Sequence, residues 1–122
     1  MSEGCGVCIS ADYGEAADVY NSQIRRAAKP HKCFECDKEI AVGEKHEYVS
    51  SLYEGEWSSW RTCLVCAEIR DAFYCDGSLS GQVWDDMREV VFPKMNTTCL
   101  ARLQTVAAKQ ELMKRWQDWK GL

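Results

Sequence analysis

The sequence lacks a long hydrophobic run. No stretch of its 122 residues approaches the ~20 apolar residues that a membrane-spanning helix needs. Residues 1–10 contain neither a basic segment nor a long apolar stretch, so no signal peptide is predicted. We therefore expect a cytoplasmic protein with no membrane partner.

Histidine is scarce, and the chain contains no glycine-rich phosphate-binding loop. Its two histidines, His31 and His46, are interpreted as ordinary surface residues. A cysteine nucleophile needs an adjacent base. Treble-clef nucleases carry a metal-binding histidine on the helix after their second cysteine pair, whereas residues 63–75 contain none. We therefore expect no enzymatic activity and no small-molecule substrate.

Charge of one sign does not dominate the chain, whose formal net charge is −4. Acidic residues concentrate in segments 1–20 and 35–60, whereas basic residues concentrate in 21–34 and 94–122. A protein that binds duplex DNA usually presents a dominant positive field, so nucleic acid is not the default partner. One basic cluster is nevertheless a candidate nucleic-acid-binding surface: Arg25, Arg26, Lys29 and Lys32.

Cysteine, in contrast, is abundant. Six of the eight cysteines form three C-x-x-C pairs, at Cys5/Cys8, Cys33/Cys36 and Cys63/Cys66. In a reducing compartment thiols stay unpaired, and this pattern then indicates metal binding rather than disulfides. A disulfide within one pair closes too small a loop to add much stability.

Two of these pairs predict one structural metal site. Cys33, Cys36, Cys63 and Cys66 follow the pattern C-x2-C-x26-C-x2-C. Two thiolate pairs separated by a hairpin-length insert are typical of a closed tetrahedral site. Zn2+ is the expected ion, because soft thiolates and a closed coordination shell suit it. Iron in a rubredoxin-like site is the minor alternative.

The third pair leaves two alternatives open. Cys5 and Cys8 could join the remaining cysteines, Cys75 and Cys99, in a second zinc site. Alternatively, Cys5 and Cys8 lie in a flexible arm, and Cys75 and Cys99 are small buried hydrophobic residues. An isolated C-x-x-C pair does not decide between them, so one or two zinc ions are expected.

The order of elements predicts an α+β fold of the treble-clef type within one compact domain. Residues 29–76 are expected to form the zinc-binding unit. A cysteine knuckle is followed by a hairpin, with strands over 46–52 and 57–62 and a turn at Glu54-Gly55. A helix then begins at the second cysteine pair and ends at Asp76-Gly77. Its N-terminus favours the negative charge of the thiolates.

The flanking regions are predicted from weaker patterns. Residues 1–28 are expected to form an irregular arm that packs on the core, and 18–28 fits a strand or a short helix. Residues 77–122 predict two or three C-terminal helices.

The first of these helices is expected from Ser80 to Val91, with Pro93 as its stop. The second helical region is predicted to start near Thr97 and to run to about Lys120. A break is possible where Thr105 could cap a new helix.

Several segments together resemble a family of small zinc-finger-like proteins of bacteriophages and prophages. The resemblance is carried by residues 28–36, Ile40, Gly43-Glu44, Tyr48, Trp57, 62–66, 70–73, 75–77 and 81–84. The family has no function to carry over, but it supports the zinc ligands. Small phage proteins often bind or inhibit a host protein such as RNA polymerase or a CRISPR effector. The resemblance therefore implies a partner in the cytoplasm of a bacterial host.

The residues themselves favour a protein-interaction module. Trp57 and Trp60 lie on the predicted hairpin, and aromatic residues are frequent anchors of protein interfaces. Glu54 and Glu56 beside them are candidates to meet a basic groove on a partner, with ordinary solubility as the alternative. The competing interpretation is a regulatory nucleic-acid-binding protein that uses the basic cluster.

Overall fold

A computed structural model of the chain describes residues 5–9, 19–74 and 82–121. The chain divides into two compact units. One unit is Tyr13–Ala67, which we call the knuckle unit; the other is Met1–Asp12 together with Glu68–Leu122, which we call the helical unit. None of the described helices is both long and apolar enough to cross a bilayer.

The knuckle unit contains the predicted hairpin. Strands β4 (Lys45–Tyr53) and β5 (Glu56–Cys63) pair antiparallel, each one residue longer at both ends than predicted. Glu54 and Gly55 form the turn with φ of 53° and 81°. These left-handed conformations suit a two-residue hairpin turn, since its twist matches that of the strands.

The ambiguous segment before the knuckle is a strand. Strand β1 (Val19–Arg26) pairs antiparallel with β4, giving a three-stranded sheet in the order β1-β4-β5. Two short strands, β2 (His31–Lys32) and β3 (Glu39–Ile40), form a second antiparallel pair around the first cysteine pair.

The two sides of the three-stranded sheet differ in exposure. Residues opposite each other in the register share one side of a sheet. Most side chains of the open face are exposed or half-buried: Asn21, Gln23, Arg25, Tyr48, Ser50, Leu52, Trp57, Ser59 and Arg61. His46, opposite Arg25 and Cys63 on the same face, is fully buried. The covered face contains residues no more than 8% exposed at its centre: Glu47, Val49, Ser51 and Thr62. The centre of one side therefore packs inward, although Tyr20 and Ile24 of β1 stay exposed there, and most of the other side meets solvent.

Helix α1 (Leu64–Phe73) begins directly after Cys63. The predicted order of knuckle, hairpin and helix is therefore confirmed, and the fold is α+β with a treble-clef-like cysteine site. After α1, Tyr74 forms a parallel bridge with Ile9 of the N-terminal segment. The predicted helix end at Asp76-Gly77 lies outside the described residues.

The first C-terminal helix differs from its prediction at both ends. Helix α2 (Val83–Asp86) continues into a π-helical turn over Met87–Val91 and a 3-10 turn over Phe92–Lys94. The predicted cap Ser80 lies outside the described residues. Pro93 does not stop the helix but lies within the 3-10 turn. The wide turn before Pro93 and the tight turn around it avoid the regular i→i−4 bond that proline cannot donate.

The second helical region breaks at Thr105, so the break that the sequence left open is present. A 3-10 segment spans Thr97–Arg102, and Leu103 after it is extended. Helix α3 (Val106–Lys120) follows, and the Thr105 hydroxyl accepts a hydrogen bond from the backbone N–H of Ala108. Gly121 ends α3 in the left-handed conformation, with φ of 85°. The core of the helical unit is apolar: Ile9, Ile69, Phe73, Val83, Met87, Val91, Phe92, Leu103 and Leu112.

Candidate metal centre

Four free thiols converge in the knuckle unit. The Sγ atoms of Cys33, Cys36, Cys63 and Cys66 all lie within 4.8 Å of one another. The Sγ atoms of Cys36 and Cys63 are 3.9 Å apart. Zn–S bonds of about 2.3 Å in a tetrahedron place sulfur atoms about 3.8 Å apart. The cluster therefore has the donor set and the spacing to hold a tetrahedral metal ion.

The local chain path explains how the first pair reaches this arrangement. The backbone N–H of Asp37 donates to the carbonyl of Cys33 at 2.9 Å, and the N–H of Cys33 donates to that of Lys38 at 2.9 Å. Asp37 adopts φ of 62°, a left-handed conformation that aspartate tolerates better than most residues. The chain thus reverses directly after Cys36, and both thiols point to the same place.

The second pair is positioned by the junction of β5 and α1. Cys63 ends β5, and Cys66 lies in the first turn of α1. The N-terminal end of a helix favours negative charge, so it stabilises thiolates there. Cys33 and Cys66 are buried, and Cys36 and Cys63 are half-buried. A buried cluster of this kind is typical of a structural site rather than a reactive one.

Backbone N–H groups also stabilise charge on one sulfur. Sγ of Cys33 accepts hydrogen bonds from the N–H of Cys63 at 3.3 Å and of Glu35 at 3.4 Å. Hydrogen bonds from the thiols of Cys63 and Cys66, with the backbone N–H of Cys63, lower the pKa of Cys33. The hydrogen bond to Cys33 has the largest effect on Cys66 and raises its pKa. The hydrogen bond to Cys63 and burial raise that pKa further. Negative charge in the cluster is therefore favoured on Cys33 and disfavoured on Cys66.

The described cysteines of the second group match neither of the two alternatives left open by the sequence, a second zinc site or unpaired cysteines. Cys5 and Cys99 are joined in a disulfide with their Cα atoms 4.7 Å apart, and Cys8 is disulfide-bonded as well. Cys75 lies outside the described residues. A sulfur atom in a disulfide has no thiolate to offer a metal. The helical unit therefore has a covalent link between Cys5 and Cys99, which one of the two alternatives had assigned to a zinc ion.

An arginine fastens the same N-terminal segment. The Arg102 guanidinium donates to the carbonyl oxygens of Val7 at 2.6 Å and Ala72 at 3.2 Å, and also to that of Cys5. It also lies 5.1 Å from the centre of the Phe73 ring. Sequence reasoning missed this role, because contacts over 95 residues leave no local pattern.

The two histidines are not alike, and one prediction about them was wrong. His31 is half-buried, and desolvation together with the nearby positive charge of Arg61 lowers its pKa. His46 is fully buried, not on the surface. Its Nε2 lies 2.8 Å from Nη1 of Arg61 and its Nδ1 lies 3.4 Å from the carbonyl of Glu44. Because arginine only donates, Nε2 of His46 accepts this hydrogen bond and orients Arg61.

The four predicted nucleic-acid-binding residues do not lie together on one face. Arg25 lies on the open face, with its guanidinium carbon 3.9 Å from the centre of the Tyr48 ring. Arg26 instead lies in register with Lys45 and donates to the carbonyl of Gly43 at 3.1 Å. Lys29 lies in an exposed loop, and Lys32 is exposed on β2.

The predicted partner-binding residues also separate. Trp57 is 62% exposed on the open face, next to exposed Glu54 and Glu56 at the hairpin turn. Trp60 is half-buried, and its ring centre lies 6.0 Å from that of Phe34. The structure thus brings Trp57 together with the two glutamates, while Trp60 contacts Phe34, which lies between the two cysteines of the first pair.

No protein-family model, no curated protein and no solved structure matches the chain. The resemblance to small phage proteins stays a prediction.

Proposed function

We propose that this chain is a zinc-dependent binding module that holds single-stranded nucleic acid on the open face of its sheet. The observation that carries this proposal is the pair of guanidinium groups on Tyr48. Zinc is the expected ion because four soft thiolates in a closed shell suit it better than harder or redox-active cations.

Arg61 lies directly opposite Tyr48 in the register of the sheet. Arg25 lies on the other side, diagonal to Tyr48, two residues along β1 from Gln23, which pairs with Tyr48. Their guanidinium carbons are 3.9 Å and 4.7 Å from the centre of the Tyr48 ring. Within the described part of the chain, neither arginine has a carboxylate partner. Both are therefore held in place by an aromatic ring while their charge stays available to a phosphate.

The charges on the open face are all of one sign. Among its described positions, none carries a carboxylate, whereas the covered face includes Glu47. Local charge decides where a polyanion settles, so a net charge of −4 on the chain does not oppose binding here.

The open face also presents rings to bases. Trp57 is 62% exposed, and Tyr48 is half-buried between the arginines. Each base stacked on an aromatic side chain contributes about 1–3 kcal/mol, with little dependence on base identity. A duplex hides the faces of its bases, so we expect a preference for single strands.

The metal supports this face through β5. Cys63, one of the four ligands, lies two residues after Arg61 on the same strand. The backbone N–H of Phe34, between the other cysteine pair, donates to the carbonyl of Arg61 at 2.8 Å. Zinc would thus hold the knuckle against β5 and keep Arg61 in place.

Fluorescence anisotropy with labelled single-stranded and duplex oligonucleotides over a range of salt concentrations tests this function. We expect Arg25→Gln to weaken single-strand binding and to lower the salt slope by about 0.7. We expect Trp57→Ala to cost about 1–3 kcal/mol. Lys114→Gln on α3 removes a charge elsewhere and is the matched control. Equal losses in the control, or binding that salt does not change, would contradict the proposal.

A protein partner is a second candidate, supported by the hairpin end. Tyr53 and Trp57 are 43% and 62% exposed on either side of the turn, beside Glu54 and Glu56. An acidic, aromatic tip could dock in a basic groove of a host complex, as an inhibitor would. A nuclease-treated pull-down with wild type and a Glu54→Gln/Glu56→Gln variant tests it. A host complex recovered equally with both proteins would show that Glu54 and Glu56 do not contribute to its binding.

A further inference from the structure

Next to the open face, the hairpin and the segment around the first cysteine pair (residues 31–40, the knuckle) line a shallow, open cleft of about 280 Å³. We call it the knuckle cleft. Its walls come from the knuckle side (His31, Lys32 and Phe34) and from the hairpin (Tyr48, Trp60 and Arg61). Pockets for drug-sized molecules measure about 300–1,000 Å³, so this cleft suits a group no larger than a single nucleotide.

We infer that the knuckle cleft is a subsite for one nucleotide, with the phosphate on Lys32 and Arg61 and the base against Phe34. This inference rests on the proposed binding of single-stranded nucleic acid. It goes further by assigning a discrete pocket, with its own ligand, to residues of the knuckle.

The charge of the cleft selects an anion. None of its lining residues is acidic, and Lys32 and Arg61 have no carboxylate partner among the described residues. Arg61 is already oriented by the hydrogen bond to the buried His46. A guanidinium fixed before binding loses little side-chain entropy when it meets a phosphate.

The aromatic wall supplies the second half of the site. Phe34 is 51% exposed, although its ring contacts that of Trp60. The backbone of Phe34 is held by the hydrogen bond from its N–H to the carbonyl of Arg61 at 2.8 Å, while the exposed part of its ring leaves apolar surface in water. A base stacked on Phe34 would cover this apolar surface within reach of the two cations.

The position of the cleft links it to the open face. Arg61 belongs to both, because it lies against Tyr48 on the face and also lines the cleft. The knuckle joins the outer edge of β5 through the hydrogen bond from Phe34 to Arg61. A strand that crosses the sheet from β1 towards β5 therefore meets the knuckle, and one of its nucleotides enters the cleft.

Chemical-shift titration of the zinc-loaded full chain with a nucleoside monophosphate tests the subsite. Inorganic phosphate and the free nucleoside are titrated separately as probes of each half. We expect saturable shifts at the amides of Lys32, Phe34 and Arg61, with the monophosphate binding at least tenfold more tightly than either half. Equal affinity for phosphate alone would identify a simple anion site and overturn the inference, and so would the absence of saturable shifts.

Matched variants locate the ligand. Lys32→Ala and Phe34→Ala should each weaken monophosphate binding about tenfold, whereas Lys114→Ala on α3, outside the cleft, should leave it unchanged. Zinc content measured for each variant shows whether the knuckle is intact. Equal affinity in zinc-loaded Phe34→Ala and wild type would contradict stacking on Phe34.

The same variants separate this inference from the proposed function. Oligonucleotide binding that is strong in all variants, without monophosphate binding, would reject the subsite and keep the function. Monophosphate binding, together with an oligonucleotide affinity that does not rise with length, would keep the subsite and reject the function.

Discussion

The two units of this chain stabilise themselves in different ways. Within the described residues of the knuckle unit, the buried apolar side chains other than cysteine are few: Ala27, Ile40, Val49 and Ala67. The helical unit buries many larger ones, including Phe73, Met87, Phe92 and Leu112. A unit with so little apolar core usually needs a structural metal ion or a disulfide in addition.

The cross-links differ accordingly. The knuckle unit keeps four thiols free in one cluster, whereas the helical unit has bonded Cys5 to Cys99. The same residue type thus supplies metal ligands where the core is small and a covalent bond where the core is large. The comparison teaches that cysteine spacing alone does not define the role of each cysteine.

The largest expected effect is that of metal removal on the knuckle unit. Structural zinc contributes about 10 kcal/mol or more of folding free energy in small domains. We expect a chelator to abolish the hydrogen-exchange protection of β4 and β5, with α3 keeping most of its protection. Cys36→Ser and Cys63→Ser should behave in the same way or give insoluble protein. Wild-type circular dichroism and thermal melting in either variant would rule out the structural role.

Loss of the disulfide should act on the helical unit instead. Cys5 and Cys99 are 94 residues apart, and closing a loop of that size stabilises a fold by about 4.7 kcal/mol in the chain-entropy model. We expect Cys5→Ser to lower the free energy of unfolding by about that amount in denaturant titrations, with zinc content unchanged. Loss of bound zinc in this variant would show that Cys5 serves the metal after all.

A cavity in the larger core should have an intermediate effect. Leu112 on α3 is fully buried, and leucine-to-alanine changes in such positions cost about 2–5 kcal/mol. Val106 on the same helix is 68% exposed, so Val106→Ala is the matched control with little expected change. Thermal melting compares the two, and similar shifts in both variants would contradict the assigned core.

The smallest expected effect is a pH-dependent contact at the start of α3. Glu68 accepts hydrogen bonds from the Thr105 hydroxyl at 2.7 Å, the Thr105 N–H at 3.1 Å and the N–H of Gln104. Burial alone would raise the pKa of Glu68, but these hydrogen bonds outweigh it and lower the pKa below 4.5. Because the folded pKa is depressed, this stabilisation is present above pH 4.5 and is lost as pH falls through the folded pKa.

Glu68→Gln should therefore have a lower free energy of unfolding than wild type at pH 7, by on the order of 1 kcal/mol, and a lower melting temperature. The difference should shrink as the pH is lowered through the folded pKa. Melting curves from pH 7 to pH 3 measure it, and a difference that is constant across this range would exclude the proposed titration.

The sequence by itself determined the features that depend on short spacings. Cys33, Cys36, Cys63 and Cys66 follow a ligand pattern that identifies the cluster without any tertiary information. The Glu54-Gly55 turn between alternating segments determined the hairpin. Thr105, with a hydroxyl that can cap, marked the start of α3. Each of these signals lies within one element or one turn.

Only the tertiary structure decided which distant groups meet. It paired Cys5 with Cys99, directed Arg102 to the carbonyls of the N-terminal segment and buried His46 behind Arg61. It also placed Arg25 on the open face and Arg26 on the other side, although the two are neighbours in the chain. Alternation along a strand separates adjacent residues, whereas contacts across the fold depend on chain paths that no local pattern encodes.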